Sequence, residues 1–354
     1  ATGQEILQFF SAFGWLGIGA ALISMVLFIW MGASMMKDGR EIGFRSAATQ
    51  WKYYCGKTVG SIIDPFATFF NFGVYTVMIG GAGAAVNQYL GLPDIVGRLG
   101  MTLICFLTVL LGLNKLVNVL GVIGPVIIVF SLFIGTVSII TGFDNISTAQ
   151  ATLESLEVTS SCGNWLLSGF LYAGFMAIIV FPFMFSLAET AETKESGILG
   201  GALGGFFLTL AILVMHMALF LYIDEVYNVS IPTLVLANKI HPVLAGAFTV
   251  VVMLGIFSTA VPLLWMVCRK AGQYGIKFYY ATDLIAAIAA FILSMLPFTT
   301  LVNTIYPYTG YLGIIVMILF ALRQTIWKNP NRIKEYQEMD RQYFEKLEQR
   351  HVAK

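Results

Sequence analysis

Nine apolar stretches of the sequence are each long enough to cross a lipid bilayer. A helix needs about 20 apolar residues to span the roughly 30 Å hydrocarbon core. Charged residues make up only 11% of the 354 residues, whereas about 25% is usual in soluble domains. We therefore predict an all-α polytopic membrane protein with spans at 14–36, 61–89, 96–113, 117–141, 164–187, 197–223, 243–268, 279–297 and 305–327.

The same sequence argues against several classes of protein. The formal net charge is +1, which is too small for a nucleic-acid-binding protein that works through positive potential. Alternating strand patterns typical of a membrane barrel are missing. We also find no His/Glu metal motif, no Ser-His-Asp set and no nucleotide-binding loop. We expect no enzyme activity, no catalytic residues, no metal site and no cofactor.

The distribution of basic residues predicts the orientation of the chain. If the 37–57 loop is cytoplasmic, 18 of the 20 Lys and Arg residues fall on that side, and only Arg98 and Lys239 lie outside. We predict a multi-pass protein of the bacterial cell membrane with a cytoplasmic C-terminus. Residues 1–327 would form the transmembrane domain, and residues 328–354 a charged, solvated cytoplasmic helix.

The first residues are typical of an interrupted helix. Nine spans and a cytoplasmic C-terminus place residue 1 outside or within the membrane. Ala1–Glu5 is polar, contains a glycine, and precedes an apolar run at 6–12 that is too short to span. We expect a half-helix to precede this chain, which would give ten helices in two sets of five. The alternative is a nine-span protein with a short external N-terminus.

A second interruption is predicted in the span at 164–187, where Gly169 to Phe175 is followed by Pro182. Unwound backbone at membrane depth is tolerated only where it faces protein or a water-filled cavity. Paired interruptions at the same position in two halves indicate an inverted-repeat secondary transporter with a midplane site.

Short motifs carry a resemblance to known transporters. The run from Phe170 to Phe175, Phe-Leu-Tyr-Ala-Gly-Phe, resembles the broken sixth helix of the amino acid–polyamine–organocation superfamily. The run from Gly80 to Gln88, together with Gly3 to Ile6, resembles the YkvI-type bacterial membrane proteins, a group assigned to the LeuT-like fold. The resemblance implies a LeuT-like 5+5 inverted-repeat bundle over essentially the whole chain, with a Gly-rich half-helix before Gly3.

The resemblance also implies a midplane substrate pocket between the two interruptions and the third helix. Half-helix N-termini at such a site favour a carboxylate, so the expected solute is small, organic and amino-acid-like. The aromatic residues expected in this pocket, especially Tyr75, could instead serve in helix packing. The expected substrate-binding residues are Gly3, Gln4, Tyr75, Tyr172, Ala173 and Phe175.

A candidate ion site lies in the span at 243–268. Gly255, Ser258 and Thr259 share one helix face, so a carbonyl and two hydroxyls can point at one spot. Hard cations prefer oxygen ligands. The spacing resembles the eighth-helix half of a sodium site in LeuT-like transporters. Alternatively, both hydroxyls bond back to carbonyls of their own helix, as Ser and Thr often do in membranes.

The ionisable residues in the spans leave two coupling ions open, Na⁺ and H⁺. Sodium-independent relatives commonly place a Lys in the fifth helix, and 117–141 contains neither Lys nor Arg, which favours Na⁺. Protons could still be carried by Glu5, Asp64, Asp283 or His216, since ionisable groups in spans are functional candidates.

These four residues carry different expectations. Glu5 lies beside the first interruption, where a role in substrate or ion binding is favoured. Asp64 and Asp283 are expected to cap helices or to pair with loop Lys or Arg residues as an inner gate. For His216 a hydrogen-bonded packing role is favoured.

The functional hypothesis is Na⁺-coupled secondary transport of a small organic solute by alternating access. Its expected partners are the solute, Na⁺ and the lipid bilayer. The alternatives are a proton-coupled transporter and a non-transporting membrane sensor or scaffold that retains the fold.

Overall fold

Long helices account for most of the chain in the computed structural model. It describes residues 2–44, 46–111, 116–326 and 330–352, with side chains except at 116–122, 330 and 346–352. Four of the predicted cytoplasmic basic residues lie outside the described residues: Arg45, Lys115, Lys328 and Lys354. No strand occurs in the ranges described.

All nine predicted spans are confirmed as helices over the residues that the structure describes; residues 112–113 and 327 of the predicted spans lie outside them. Within the described part of the chain, nine helices are long and apolar enough to cross a membrane. In order along the chain, the long helices are α2 (Leu16–Ile42), α4 (Lys57–Leu90), α5 (Asp94–Leu111), α6 (Leu116–Thr141), α8 (Trp165–Ala188), α9 (Lys194–Leu221), α12 (Pro242–Gly272), α13 (Ile276–Leu293) and α14 (Phe298–Thr325).

Shorter helices lie before, between and after the spans. A turn of 3₁₀ helix at Ser11–Phe13 follows the first of them, and another at Phe143–Ser147 begins the long connection between α6 and α8. The shorter helices are α1 (Gln4–Phe9), α3 (Ala47–Cys55), α7 (Ala149–Glu154), α10 (Ile223–Val226), α11 (Pro232–Ile240) and α15 (Pro330–Val352).

Helix α8 is continuous, so the predicted interruption between Gly169 and Phe175 is wrong. Its glycines serve close packing instead. A Cβ on Gly169 would lie 2.6 Å from the carbonyl oxygen of Ala20 in α2, and one on Gly174 would lie 2.5 Å from that of Gly310 in α14. Small residues let membrane helices approach this closely. The sequence signal was therefore a helix-packing signal rather than a break.

The predicted basic loops meet at one end of the bundle, here called the basic end. Lys194 pairs with Glu41, which joins the start of α9 to the end of α2. The hydroxyl of Tyr343 in α15 donates to Oε1 of Gln273 at 2.6 Å, which joins α15 to the end of α12. Contacts at this end therefore connect segments far apart in sequence.

The other end, here called the opposite end, is built from the loops between the remaining helix pairs. The Gln88 side chain donates to the carbonyl oxygen of Ile231 and accepts from its N–H, both at 2.9 Å. Asn145 donates to the carbonyl oxygen of Leu221 at 3.0 Å. Helix α11 is held in this layer.

One face of α15 is buried, which differs from the solvated helix expected from the sequence. The ring of Tyr336 packs on Phe44 and Tyr53, with ring centroids 6.5 and 5.6 Å apart, and its side chain is buried. The carboxylate of Asp340 accepts a hydrogen bond of 3.1 Å from the backbone N–H of Ser46. The apolar positions of this charged helix therefore dock on α3 and the segment before it.

Candidate functional site

The start of α1 is held against α11 by the backbone of Thr2. Its carbonyl oxygen accepts hydrogen bonds from the backbone N–H of Thr233, at 3.3 Å, and from the Thr233 hydroxyl, at 2.8 Å. Gly3 follows with φ +84°, a conformation that favours glycine. A Cβ there would lie 2.9 Å from Cγ2 of Thr233. Both backbone conformation and packing therefore select glycine at position 3.

Buried side-chain amides lie on α1 and on the facing part of α14. Gln4 and Gln8 are 5% and 1% exposed, and Nε2 of Gln8 donates weakly, at 3.5 Å, to the carbonyl oxygen of Asn303 in α14. Within the described chain, the side-chain amide oxygens of all three residues accept no hydrogen bond. Buried polar atoms without partners are rare in native proteins and call for a donor such as water or a ligand.

Aromatic rings and one carboxylate complete this group. Tyr172 packs edge-on against Phe10, with centroids 5.0 Å apart, and Phe175 stacks on Tyr306 at 4.1 Å. The Glu5 carboxylate accepts a hydrogen bond of 2.9 Å from the Thr2 hydroxyl and lies within electrostatic range of both tyrosines.

Four of the six predicted substrate residues meet here and two do not. The side chains of Gln4, Tyr172 and Phe175 lie around α1, next to the backbone of Gly3. Ala173 is instead buried in the apolar cluster at the basic end. The fully buried Tyr75 lies near Cys105, Cys268 and Asp283. Residues that join the group without having been predicted are Gln8, Asn303 and Tyr306.

The predicted ion ligands converge within α12. The hydroxyls of Ser258 and Thr259 both donate to the carbonyl oxygen of Gly255, at 2.9 and 3.0 Å, and both residues are half-buried. This is the back-bonded arrangement that the sequence left as an alternative. The same contacts hold three oxygens together on one side of an unbroken helix.

A cavity of about 470 Å³ lies at the basic end between α3, α4, α8, α12, α13 and α15. In its wall the Lys270 ammonium pairs with the Asp64 carboxylate at 2.9 Å and donates to the Thr68 hydroxyl, also at 2.9 Å. The predicted pairing of Asp64 with a loop cation is therefore present. The Arg269 guanidinium lies over the Trp265 ring, 4.9 Å from its centroid.

The floor of this cavity includes Asn71 of α4. Its side chain is 4% exposed, and its Oδ1 accepts no hydrogen bond from the residues described. Trp51 and Tyr343 contribute aromatic surface to the walls. The cavity thus combines rings, two cations, one paired carboxylate and an available amide oxygen.

Helix α3 forms part of the wall and is fixed by a buried tyrosine. The Tyr54 hydroxyl donates to Oδ2 of Asp38 in α2 at 2.6 Å, and Nε2 of Gln324 in α14 donates to the same oxygen at 3.1 Å. Burial, reinforced by the nearby Asp38 carboxylate, raises the pKa of Tyr54 well above its ordinary value. The hydroxyl therefore stays protonated and remains a donor over the physiological pH range.

Asp283 does not pair with a loop cation, unlike the expectation from the sequence. It is fully buried in α13, and neither carboxyl oxygen has a geometric hydrogen-bond partner among the described residues. The Cys268 thiol lies close to the carboxyl group. His216, also fully buried, lies 3.2 Å from the Ser11 hydroxyl through Nδ1, as the packing interpretation predicts.

Comparison with known proteins identifies the fold as LeuT-like. Two mutants of the manganese transporter of Eremococcus coleocola match with TM-scores of 0.52 and 0.51, at 13% and 14% identity. Each match covers 99% of this chain and 90% of the transporter chain.

In sequence, the chain is 26% identical over 318 residues to the uncharacterized membrane protein YkvI of Bacillus subtilis. That match covers 89% of this chain and 88% of YkvI. No family model matches. Among the residues described, no group of three or more His, Cys, Asp or Glu side chains is arranged to hold a metal ion.

Proposed function

We propose that this LeuT-like bundle is a secondary transporter that moves a small, amino-acid-like solute by alternating access, coupled to Na⁺. The observation that carries the proposal is the unequal state of the two ends. A cavity of about 470 Å³ lies at the basic end, while Thr2 and Thr233 join α1 to α11 at the opposite end. A transporter that alternates access around a central site has one such arrangement in each of its states.

The cavity walls favour an organic anion or zwitterion. Arg269 and Lys270 supply two positive charges. Lys270 forms an ion pair with Asp64, whereas Arg269 lies over the Trp265 ring. Trp51, Trp265 and other rings offer apolar surface beside them. The volume is in the range of small-molecule sites, about 300–1,000 Å³. A carboxylate with a short side chain matches this combination of charge and apolar surface.

The buried amides around α1 provide a second station for the same solute. Gln4, Gln8 and Asn303 present acceptors that an ammonium group satisfies, and Tyr172 and Tyr306 present rings beside them. In the proposed cycle the solute passes between this group and the cavity as the bundle changes its accessible end.

Na⁺ coupling is assigned to Gly255, Ser258 and Thr259. Both hydroxyl oxygens already lie within 3.0 Å of the Gly255 carbonyl oxygen, to which they donate hydrogen bonds. A hard cation coordinated here would replace those hydroxyl–carbonyl bonds with ion–oxygen contacts. Because α12 also carries Arg269 and Lys270, ion binding acts on the helix that lines the cavity.

Uptake into proteoliposomes tests the proposal directly. The full chain is reconstituted and given a mixture of labelled amino acids, under an inward Na⁺ gradient or an equal K⁺ gradient. We expect accumulation with Na⁺ and little with K⁺. Equal accumulation in both gradients would refute Na⁺ coupling. No uptake of any amino acid, or uptake of Mn²⁺ instead, would refute the substrate class.

Two substitutions separate the ion site from general effects on α12. Ser258→Ala and Thr259→Val are expected to raise the Na⁺ concentration for half-maximal uptake at least about tenfold, the loss expected for about 1.4 kcal/mol. Thr249→Val is the matched control, because the Thr249 hydroxyl also bonds back within α12, at 2.8 Å to Ala245. Equal effects of all three substitutions would refute the assignment.

A further inference from the structure

The Asp283 carboxyl is enclosed by three other helices that each contribute one ionisable but uncharged group. Helix α12 supplies the Cys268 thiol, α5 the Cys105 thiol and α4 the Tyr75 hydroxyl. Tyr279 of α13 itself lies near the same group. Within the part of the chain that the structure describes, Asp283 forms no ion pair with a Lys, Arg or His side chain.

A carboxylate in this enclosure would be an isolated negative charge. Moving a carboxylate from water to a dry, low-dielectric interior costs about 20 kcal/mol in the idealised case and several kcal/mol after relaxation. Neither thiols nor phenols supply the positive charge that compensates this cost, and the Tyr75 hydroxyl makes no hydrogen bond within the described chain. Such an enclosure favours the neutral acid over the carboxylate.

The enclosure lies directly behind the wall of the basic-end cavity. Tyr279, one helical turn before Asp283, lines that cavity, and its hydroxyl donates to the carbonyl oxygen of Val109 in α5 at 3.1 Å. Cys268 precedes Arg269, which also lines the cavity. Tyr279 therefore lies both in the cavity wall and near the buried carboxyl.

We propose that Asp283 is a proton-binding site of the transporter, loaded and unloaded through the Tyr279 side of the cavity. Loading forms an O–H bond between a carboxylate oxygen and a proton taken from hydronium in cavity water, and unloading breaks that bond. No electrons are exchanged. The inference rests on the proposed transport function, because it makes H⁺ a second coupling ion beside Na⁺.

Infrared spectroscopy of the purified full chain in nanodiscs tests the proton site without any transport. At neutral pH the parent is expected to show the C=O stretching band of a protonated carboxylic acid, and Asp283→Asn is expected to lose it. Asp64→Asn is the control, because it removes a carboxyl group that pairs with Lys270 instead of one that is enclosed without a partner, and it should leave the band unchanged. An unchanged band in Asp283→Asn would overturn the proposal.

A second variant covers the case in which Asp283→Asn does not fold. Cys268→Ala retains the carboxyl but removes the thiol that interacts with it, so the band should shift in frequency while keeping its intensity. An identical band in Cys268→Ala and in the parent would place the protonated acid elsewhere and would contradict the assignment.

Proton movement is measured separately, with the pH dye pyranine trapped in proteoliposomes. A mixture of amino acids added with Na⁺ should change the internal pH with the parent and leave it unchanged with Asp283→Asn, while Thr249→Val behaves like the parent. Pyranine signals of equal size with Asp283→Asn would refute the coupling role. If the parent transports no amino acid at all, the proposed function fails, and the infrared band still decides whether Asp283 binds a proton.

Discussion

The carbonyl oxygen of Thr2 accepts two hydrogen bonds from Thr233, 231 residues further along the chain, at 3.3 Å from the N–H and 2.8 Å from the hydroxyl. This double contact joins the first helix to α11 at the opposite end of the bundle. Transport by alternating access requires that such a contact can be made and broken. Its strength is therefore expected to affect the balance between conformations.

Gly3→Ala is expected to disturb this contact far more than the same substitution at Gly43. At Gly3 the left-handed conformation costs about 1–2 kcal/mol, and the new Cβ, 2.9 Å from Thr233, adds about 1–3 kcal/mol of overpacking. Gly43 has φ +69° but open space around it, so Gly43→Ala meets only the first cost. The free energies of unfolding in detergent measure both. Equal losses would contradict the proposed packing of α1 on α11.

Gly174→Ala is expected to separate α8 from α14. The added Cβ would lie 2.5 Å from the backbone carbonyl oxygen of Gly310, which cannot move away without displacing α14. We expect at least about 2 kcal/mol lower stability. Gly204→Ala, on α9, is the control, because the added methyl group meets open space. This substitution should leave the free energy of unfolding unchanged or raise it by up to about 1 kcal/mol. Thermal unfolding distinguishes these results. If Gly174→Ala unfolds at the same temperature as the wild type, the close packing of a continuous α8 on α14 would be contradicted.

The Asp64–Lys270 pair is expected to stabilise the cavity wall through a measurable coupling. Both side chains are partly buried, at 17% and 31% exposure. The Thr68 hydroxyl also accepts a hydrogen bond from the Lys270 ammonium. A double-mutant cycle with Asp64→Asn and Lys270→Met should give a coupling energy of about 1 kcal/mol. The exposed pair Lys57–Glu335 serves as the comparison and should show no measurable coupling. The reverse order would contradict this account of the wall.

Cys55 is expected to react very slowly with maleimides. Burial raises its pKa to about 12, and the reactive species is the thiolate. At pH 8 the thiolate fraction is then only about 10⁻⁴, and the rate should rise about tenfold per pH unit up to the pKa. The half-exposed Cys162 at the opposite end is the comparison. We expect its labelling to be complete before Cys55 reacts, as followed by mass spectrometry of tryptic peptides.

The same labelling tests the predicted orientation. A membrane-impermeant maleimide added to intact cells should reach Cys162 and leave the other three cysteines unmodified. Failure of Cys162 to react in intact cells, followed by its labelling once the membrane is permeabilised, would reverse the sidedness that was inferred from the Lys and Arg residues.

The sequence predicted features that depend on local physical chemistry. Apolar length located all nine helices, because a span must cover a fixed hydrocarbon thickness. The pairing of Asp64 with a loop cation followed from its place near a basic loop. The i, i+3 and i+4 spacing brought Gly255, Ser258 and Thr259 together, because those positions share a face of any helix.

Features that depend on tertiary contacts were missed. Gly169 and Gly174 were interpreted as a break because glycine both unwinds helices and permits close packing, and only the positions of α2 and α14 distinguish the two roles. Asn303 and Tyr306, at i and i+3 in α14, share a face towards α1 that one sequence does not reveal. The isolation of Asp283 depends on which groups α4, α5 and α12 place around it.

Counterflow tests the central claim, carrier transport by alternating access, most directly. Proteoliposomes loaded with an excess of unlabelled amino acid are diluted into a trace of the labelled compound, with equal Na⁺ on both sides. A carrier exchanges one for the other, so we predict a transient accumulation of label above its equilibrium level. Entry of label that rises to equilibrium without an overshoot, or no entry above protein-free liposomes, would contradict the account.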